Sequence, residues 1–256
     1  MILKEFDENR TAVIEPTMIR SPIPDFPETS ISCFSSVLFE KTLENLPHRE
    51  LEKIGSANGK EPVYEVLYKG KRFSFFMASV GEPNCVANYE EIMVLGSKRL
   101  ILFGNCGVLD KNIEDCGIII PTAAIRDEGC SYHYAPPSDM IEVNKKYIPE
   151  FKKILDEHGY VYTEGVTWTT DAFYRETPDK VKRRKEQGAV CVDMECAGMQ
   201  ALCDFRGAEF FQFFYAADNL DHTEWQPRSL SGHDRVDDKL KIAFLAFELG
   251  LKTEEY

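Results

Sequence analysis

An α/β fold is predicted for this chain, with one sheet covered by helices on both faces. Three observations carry that prediction. From about residue 63 onward, short apolar runs of β type alternate with helical patterns, the alternation expected when strands are buried on both sides. The chain has 256 residues, 43% of them hydrophobic and 12% aromatic, enough for one large core in a single domain spanning 1–256. No internal repeat, low-complexity tract or Gly/Ser linker divides it.

The elements follow in order. Phe73–Ser79 has the pattern of a strand, and Pro83–Gly96 that of a helix. Arg99–Phe103 is a short apolar strand ending at Gly104, and Gly117–Pro121 is another. Glu150–His158 keeps Phe151, Ile154 and Leu155 on one helical face. Tyr160–Trp168 is a strand, and Pro178–Gln187 a polar helix with proline near its start. Ala189–Val192 is a strand running into Met194–Phe205, a helix apolar nearly all round and therefore buried. Glu209–Ala216 is an aromatic strand. A last helix over 233–249 sets Val236, Leu240, Phe244 and Phe247 on one stripe. Before residue 63 the clearest feature is the proline-rich stretch 16–27, an irregular surface loop.

Charge and cysteine usage exclude several functions. Thirty Lys and Arg stand against 43 Asp and Glu, a net charge of -13. Such a surface repels phosphate backbones and anionic lipid, so neither nucleic acid nor a membrane surface is expected as a partner. A small anion is still compatible, held by a local basic pocket or by backbone N–H groups. The N-terminal residues MILKEFDENRTAVIEP lack the apolar core of a signal peptide. The apolar stretches Arg99–Gly104 and Phe210–Ala217 are too short to span a bilayer. The eight cysteines form no CxxC pair and lie mostly in apolar runs, so buried free thiols and a cytoplasmic setting are expected. His133 has no partner at metal-ligand spacing, and no HExxH occurs, so no metal is expected. Neither GxGxxG nor GxxxxGK[ST] is present, so no nucleotide cofactor is expected either.

In sheets of this class, ligands bind beyond the carboxyl ends of the strands. That rule nominates residues 81–84, 104–107, 169–175, 193–195 and 217–221, each unusual in polarity or glycine content. Gly104-Asn105-Cys106-Gly107 follows a strand and is either an ordinary turn or an anion nest of successive N–H groups. Glu195 is either an acid favoured by the start of a helix or a carboxylate held for two sugar hydroxyls. Asp218 ends the run FFQFFYA. It serves an Asx turn or a helix cap, or else it is a partly desolvated general acid. Asp221 and His222 lie close by. Phe173 and Tyr174 suit either the core or stacking on a planar base. The basic run 180–185 is expected to be a solvated helix face.

Taken together, VGEPN with its following YEE helix, LILFGNCGVL, IIIPTAAIRDEGCSYHY, TWTTDAFYRET, VCVDMECAGM and YAADN resemble the nucleoside phosphorylase family, which includes trimeric and hexameric purine nucleoside and uridine phosphorylases. The resemblance runs from about Phe73 to Asn219. It implies a three-layer α/β/α fold around a twisted mixed sheet, a homo-oligomer, and phosphorolysis of a ribonucleoside to free base and ribose 1-phosphate. Phosphate is then a co-substrate, and no other cofactor is implied. Glu195 would bind the ribose hydroxyls, Met194 would pack beneath the sugar, and Phe173 would stack on the base. Asp218 would protonate or hydrogen-bond the leaving base, with Arg175 or Arg228 a further contact to base or acid. Val80 and Gly81 would line the sugar and phosphate side, with Gly104 and Asn105 beside the phosphate.

Three departures bear on the anion. The family's GDPxR loop is absent, its nearest counterpart being IEPTMIR with Arg20. Leu102 stands where purine members often place an arginine, and Asn105 where they place Ser or Thr. An arginine from elsewhere is then required, Arg20 first and Arg126 second. The Gln and Arg usual in uridine-type members are missing from FYRETPD, which favours a purine. A nucleoside hydrolase on the same fold and a non-catalytic nucleoside-binding protein are the alternatives.

Overall fold

A computed structural model describes residues 2–57, 59–222 and 224–253. In chain order the elements are β1 (Thr29–Cys33), α1 (Ser36–Asn45), β2 (His48–Ser56), β3 (Gly59–Tyr68), β4 (Lys71–Met77) and α2 (Glu82–Leu95). Then come β5 (Arg99–Val108), β6 (Ile118–Asp127), β7 (Met140–Glu142), α3 (Ile148–Glu157) and β8 (Tyr162–Thr170). The chain ends with α4 (Pro178–Glu186), β9 (Ala189–Asp193), α5 (Cys196–Arg206), β10 (Glu209–Asn219) and α6 (Val236–Thr253).

The strands form one mixed, 10-stranded sheet. β1 lies between β4 and β5, parallel to both, and the hairpin β2–β3 extends the sheet beyond β4. On its other side β5 runs parallel to β10, which leads through β6 and β8 to β9. β9 then returns to β5, pairing Gly107 with Val192 and Val108 with Cys191. The sheet therefore curls until β5, β10, β6, β8 and β9 close a ring.

Side chains alternate between two cores, as strand geometry requires. On β5, Ile101 and Phe103 join the layer that holds Phe151 of α3 and Phe247 of α6. Leu100 and Leu102 point the other way, into the layer with Tyr89 of α2 and Leu202 of α5. Helices thus cover both faces, and the three-layer α/β/α arrangement is present. Phe103 stacks on Phe213 of β10 at 5.6 Å, joining neighbouring strands within one layer.

The structure corrects several sequence expectations. β5 does not stop at Gly104 but continues to Val108, so the GNCG segment is strand and not a tight turn. Its glycines allow close packing instead. A Cβ at Gly104 would lie 2.7 Å from Phe34 Cδ2, and one at Gly107 would lie 2.6 Å from Leu220 Cδ1. The buried side of α6 is Ile242, Ala243, Leu245, Ala246, Phe247 and Leu249. Val236, Leu240 and Phe244 are only half-buried, because α6 lies against α1 and α3 as well as the sheet and buries a wider, rotated arc. The cysteines are all unpaired, and every one but Cys130 is buried. Among the described residues no helix is long and apolar enough to cross a membrane.

Candidate active site

A cavity of about 1470 Å³ opens at the carboxyl ends of β5, β9 and β10. Four of the five nominated edge segments line it directly, through Asn105 to Gly107, Phe173 and Tyr174, Asp193 to Glu195, and Asp218 with Leu220 and Asp221. The fifth reaches it through Gly81. That residue has φ 94°, a conformation natural to glycine, and its N–H donates to Glu195 Oε1 at 2.7 Å.

The polar end of the cavity is built around Asp193 and Glu195. Asp193 ends β9 and accepts four hydrogen bonds. Thr167 and Thr169 donate their hydroxyls to Oδ1 at 2.9 and 2.8 Å. The N–H groups of Glu195 and Cys196 donate to Oδ2 at 2.8 and 2.6 Å. The start of α5 is thereby capped, which sets Glu195 in a fixed attitude. Glu195 is 5% exposed. Burial first, and then the charge of Asp193, push its carboxyl up to about 8, opposed by the Gly81 and Met194 N–H groups.

A second buried acid, Glu82, supports this end from behind. It begins α2 and accepts the Gly198 N–H of α5. Burial and the neighbouring Glu128 raise it well above the usual carboxylate range. The α2–α5 contact is tight, since a Cβ at Gly198 would fall 2.2 Å from Glu82 Cδ. Gly198→Ala is therefore expected to destabilise the protein by about 1–3 kcal/mol. Urea unfolding measures this, and an unchanged midpoint would show that the contact yields without cost.

Asp218, near the end of β10, lines the same cavity. The pairing of β10 with β5 slips between Ala216 and Asn219, a bulge of the kind that re-aims a side chain beside a site. Asp218 Oδ2 accepts the Trp225 indole N–H at 2.7 Å. Phe173 and Tyr174 are 50% and 88% exposed, so they line the cavity wall and take no part in the core. Their ring centroids are 4.1 Å apart. Val80, 65% exposed, and Met194 complete the apolar lining.

The arginines nominated for an anion lie elsewhere. Arg20 pairs with Glu91 at 2.7 Å and Glu52 at 3.8 Å, and does not line the cavity. Arg126 is 5% exposed. It holds the turn 130–138 by donating to Ser131 Oγ, the Pro136 carbonyl and Ser138 Oγ at 2.7, 2.7 and 2.9 Å. Each guanidinium has its acceptors nearby, so neither is free to serve the cavity. Arg175 is exposed outside the lining. Arg228 donates to the Ile113 carbonyl instead of approaching Asp218. Leu102 is fully buried between the sheet and α2, also away from the cavity. Gly104 lies beneath Phe34 and contributes no lining, whereas Asn105 does.

Among the described residues, the basic side chains at the cavity are Lys182 and Lys185, with the His222 imidazole beside them. The first two come from the run expected to be a solvated face. α4 buries none of its residues, as a solvated face requires, but three of the basic side chains of the run are paired. Lys180 and Arg184 hold Asp127 at 3.0 and 3.1 Å, while Lys185 pairs with Asp221 at the cavity mouth. Phe34, Glu176 and Trp225 also line the cavity and were not nominated from sequence.

The site is thus a cleft at the carboxyl edge of a curled mixed sheet, lined by aromatic rings and by carboxyls. The chain belongs to the Phosphorylase superfamily, whose model matches residues 32–244. It is 26% identical over 186 residues to a DeoD-type purine nucleoside phosphorylase of Bacillus cytotoxicus, covering 69% of this chain and 77% of that protein. With the DeoD-type enzyme of Bacillus cereus it shares 28% over 160 residues, which span 60% of this chain and 66% of the relative. Two solved structures share the fold at 20% identity and a TM-score of 0.75. The purine nucleoside phosphorylase of Toxoplasma gondii, in complex with immucillin-H, matches over 91% of this chain and 94% of its own. The uridine phosphorylase of Vibrio fischeri matches over 94% and 99%.

Proposed function

We propose that the protein is a nucleoside phosphorylase, converting a ribonucleoside and phosphate to free base and ribose 1-phosphate, with purine nucleosides preferred. One observation carries the reading: Glu195, Asp218 and Phe173 all line one cavity. Glu195 takes the ribose 2′- and 3′-hydroxyls above Met194, and Val80 flanks the sugar. Phe173 stacks on the base, and Asp218 protonates or hydrogen-bonds it as it leaves. As the glycosidic bond stretches, positive charge builds on the sugar and negative charge on the base. An anion beside the ribose and an acid at the base stabilise both. The base-end segment FYRETPD without its Gln and Arg supports a purine. Phosphate is the co-substrate, beside Asn105. The free thiols support a cytoplasmic setting, and the family supports a homo-oligomer.

A hydrolase on the same fold is the second reading, favoured by the absence of any arginine from the cavity lining among the described residues. Incubating a nucleoside panel with and without phosphate separates the two. Phosphorolysis predicts base release that needs phosphate and yields ribose 1-phosphate. Equal release with phosphate rigorously removed, yielding free ribose, would establish hydrolysis.

A further inference from the structure

Two carboxyls of the cavity lie close enough for the charge of one to act on the other, in different circumstances. Asp218 has a donor, the Trp225 indole N–H. Trp225 is itself held, because Asn219 and its neighbour Gln226 exchange backbone hydrogen bonds of 2.8 and 3.2 Å across the neck of the loop. The second carboxyl is Glu176. It follows the short helical turn Phe173–Arg175 and lines the same cavity beside Phe173 and Tyr174. It is half-buried, and among the described residues its carboxyl has no hydrogen-bond or ion-pair partner. Burial without a donor favours the neutral form of a carboxyl. Paired acids whose surroundings differ in this way take different parts in proton transfer.

We propose that Glu176 is a second catalytic acid, whose carboxyl carries the proton that departs with the base while Asp218, engaged by Trp225, accepts hydrogen bonds beside it. The assignment rests on the reading of the site as one that cleaves purine nucleosides. Burial and then the charge of Asp218 push Glu176 up to about 7, with Lys180 acting in the opposite sense. An acid poised there is both protonated and able to give its proton near neutrality. In the step itself, the bond from the anomeric carbon to the base breaks and its electron pair goes to the base. The Glu176 O–H proton passes to the imidazole-ring nitrogen of the purine, and a phosphate oxygen forms the new bond to the anomeric carbon. Glu176, left as carboxylate, regains a proton from water through the open mouth.

The test compares Glu176→Gln with the unaltered protein on inosine and on its 7-methyl derivative, both with phosphate. The methylated base already bears a positive charge and departs neutral without taking a proton. Loss of the acid should slow inosine cleavage by about 10²-fold and leave the methylated substrate within about threefold of the unaltered protein. An unchanged melting temperature keeps lost folding apart from lost acid. Equal losses on both substrates, or no loss on either, would overturn the assignment. If the unaltered protein releases base from neither, the reading of the site fails first and takes the assignment with it.

Discussion

Asp218→Asn is expected to slow base release from inosine by about 10²-fold, the scale of weakening a hydrogen bond made by a carboxyl in a desolvated site. The amide keeps the shape of the side chain and can still accept the Trp225 N–H found at 2.7 Å, so the loop should stay in place. As an amide it is a weaker acceptor for the hydrogen bonds proposed for Asp218, and it cannot exchange a proton with Glu176. The loss should therefore appear in kcat, with thermal unfolding unchanged. Near-normal kcat would remove Asp218 from the chemistry. Asp221 is a poor successor, since its carboxylate is already occupied by Lys185 and the Lys111 N–H.

Glu195→Ala is expected to lower kcat/KM on inosine by about 10²-fold, the scale of losing charged hydrogen bonds in a desolvated site. The 2′,3′-dideoxy analogue, which lacks both hydroxyls, should lose far less. An equal loss on both substrates would reduce Glu195 to a helix-start acid. The pH dependence carries a sign as well. Because burial and Asp193 push Glu195 up to about 8, its carboxylate form accumulates in the free protein only as pH rises through that value. Inosine should bind more tightly as pH rises toward about 8, while the dideoxy analogue should be indifferent. Isothermal titration of the protein without phosphate measures both.

Much of the candidate site is legible in the sequence because its parts sit where strands end. Polar or glycine-bearing breaks after apolar runs mark the carboxyl edge of a sheet, and five such breaks meet at or beside one cavity. The arginines are another matter. Arg20 and Arg126 look available in one dimension, but their carboxylates, hydroxyls and carbonyls are fixed by tertiary packing. Trp225 and Glu176 gave no sign either, since each matters only through what the bulge in β10 and the turn after β8 set beside it.

The elements before residue 63 were missed for a physical reason. β2 and β3 form the edge of the sheet and carry Arg49, Glu52, Lys53, Glu61 and Glu65, so their apolar signal is diluted by solvent-facing charge. The dipeptide Asn58-Gly59 between two such runs was the available hairpin signal. For α1 it was Ser35 ahead of Leu38 and Phe39, and that serine does cap the helix, accepting from the Leu38 N–H at 3.3 Å. Closure of the sheet by β9 on β5 left no local trace, because register across a sheet is set by distant partners.

The buried cysteines give the fold a built-in clock. Burial raises the thiols of Cys33, Cys85, Cys106, Cys196 and Cys203 far above their ordinary range, and only a thiolate reacts readily with an alkylating reagent. Modification of these sites must then wait for the chain to open, so its rate counts excursions from the native state. Cys130 alone is partly accessible and should be labelled first. The remaining sites should follow together, at a rate that excess reagent cannot hasten, if the sheet and its two helical layers come apart as one unit. Labelling in two separated waves would instead divide the closed ring of strands from the β1–β4 half as independently opening parts.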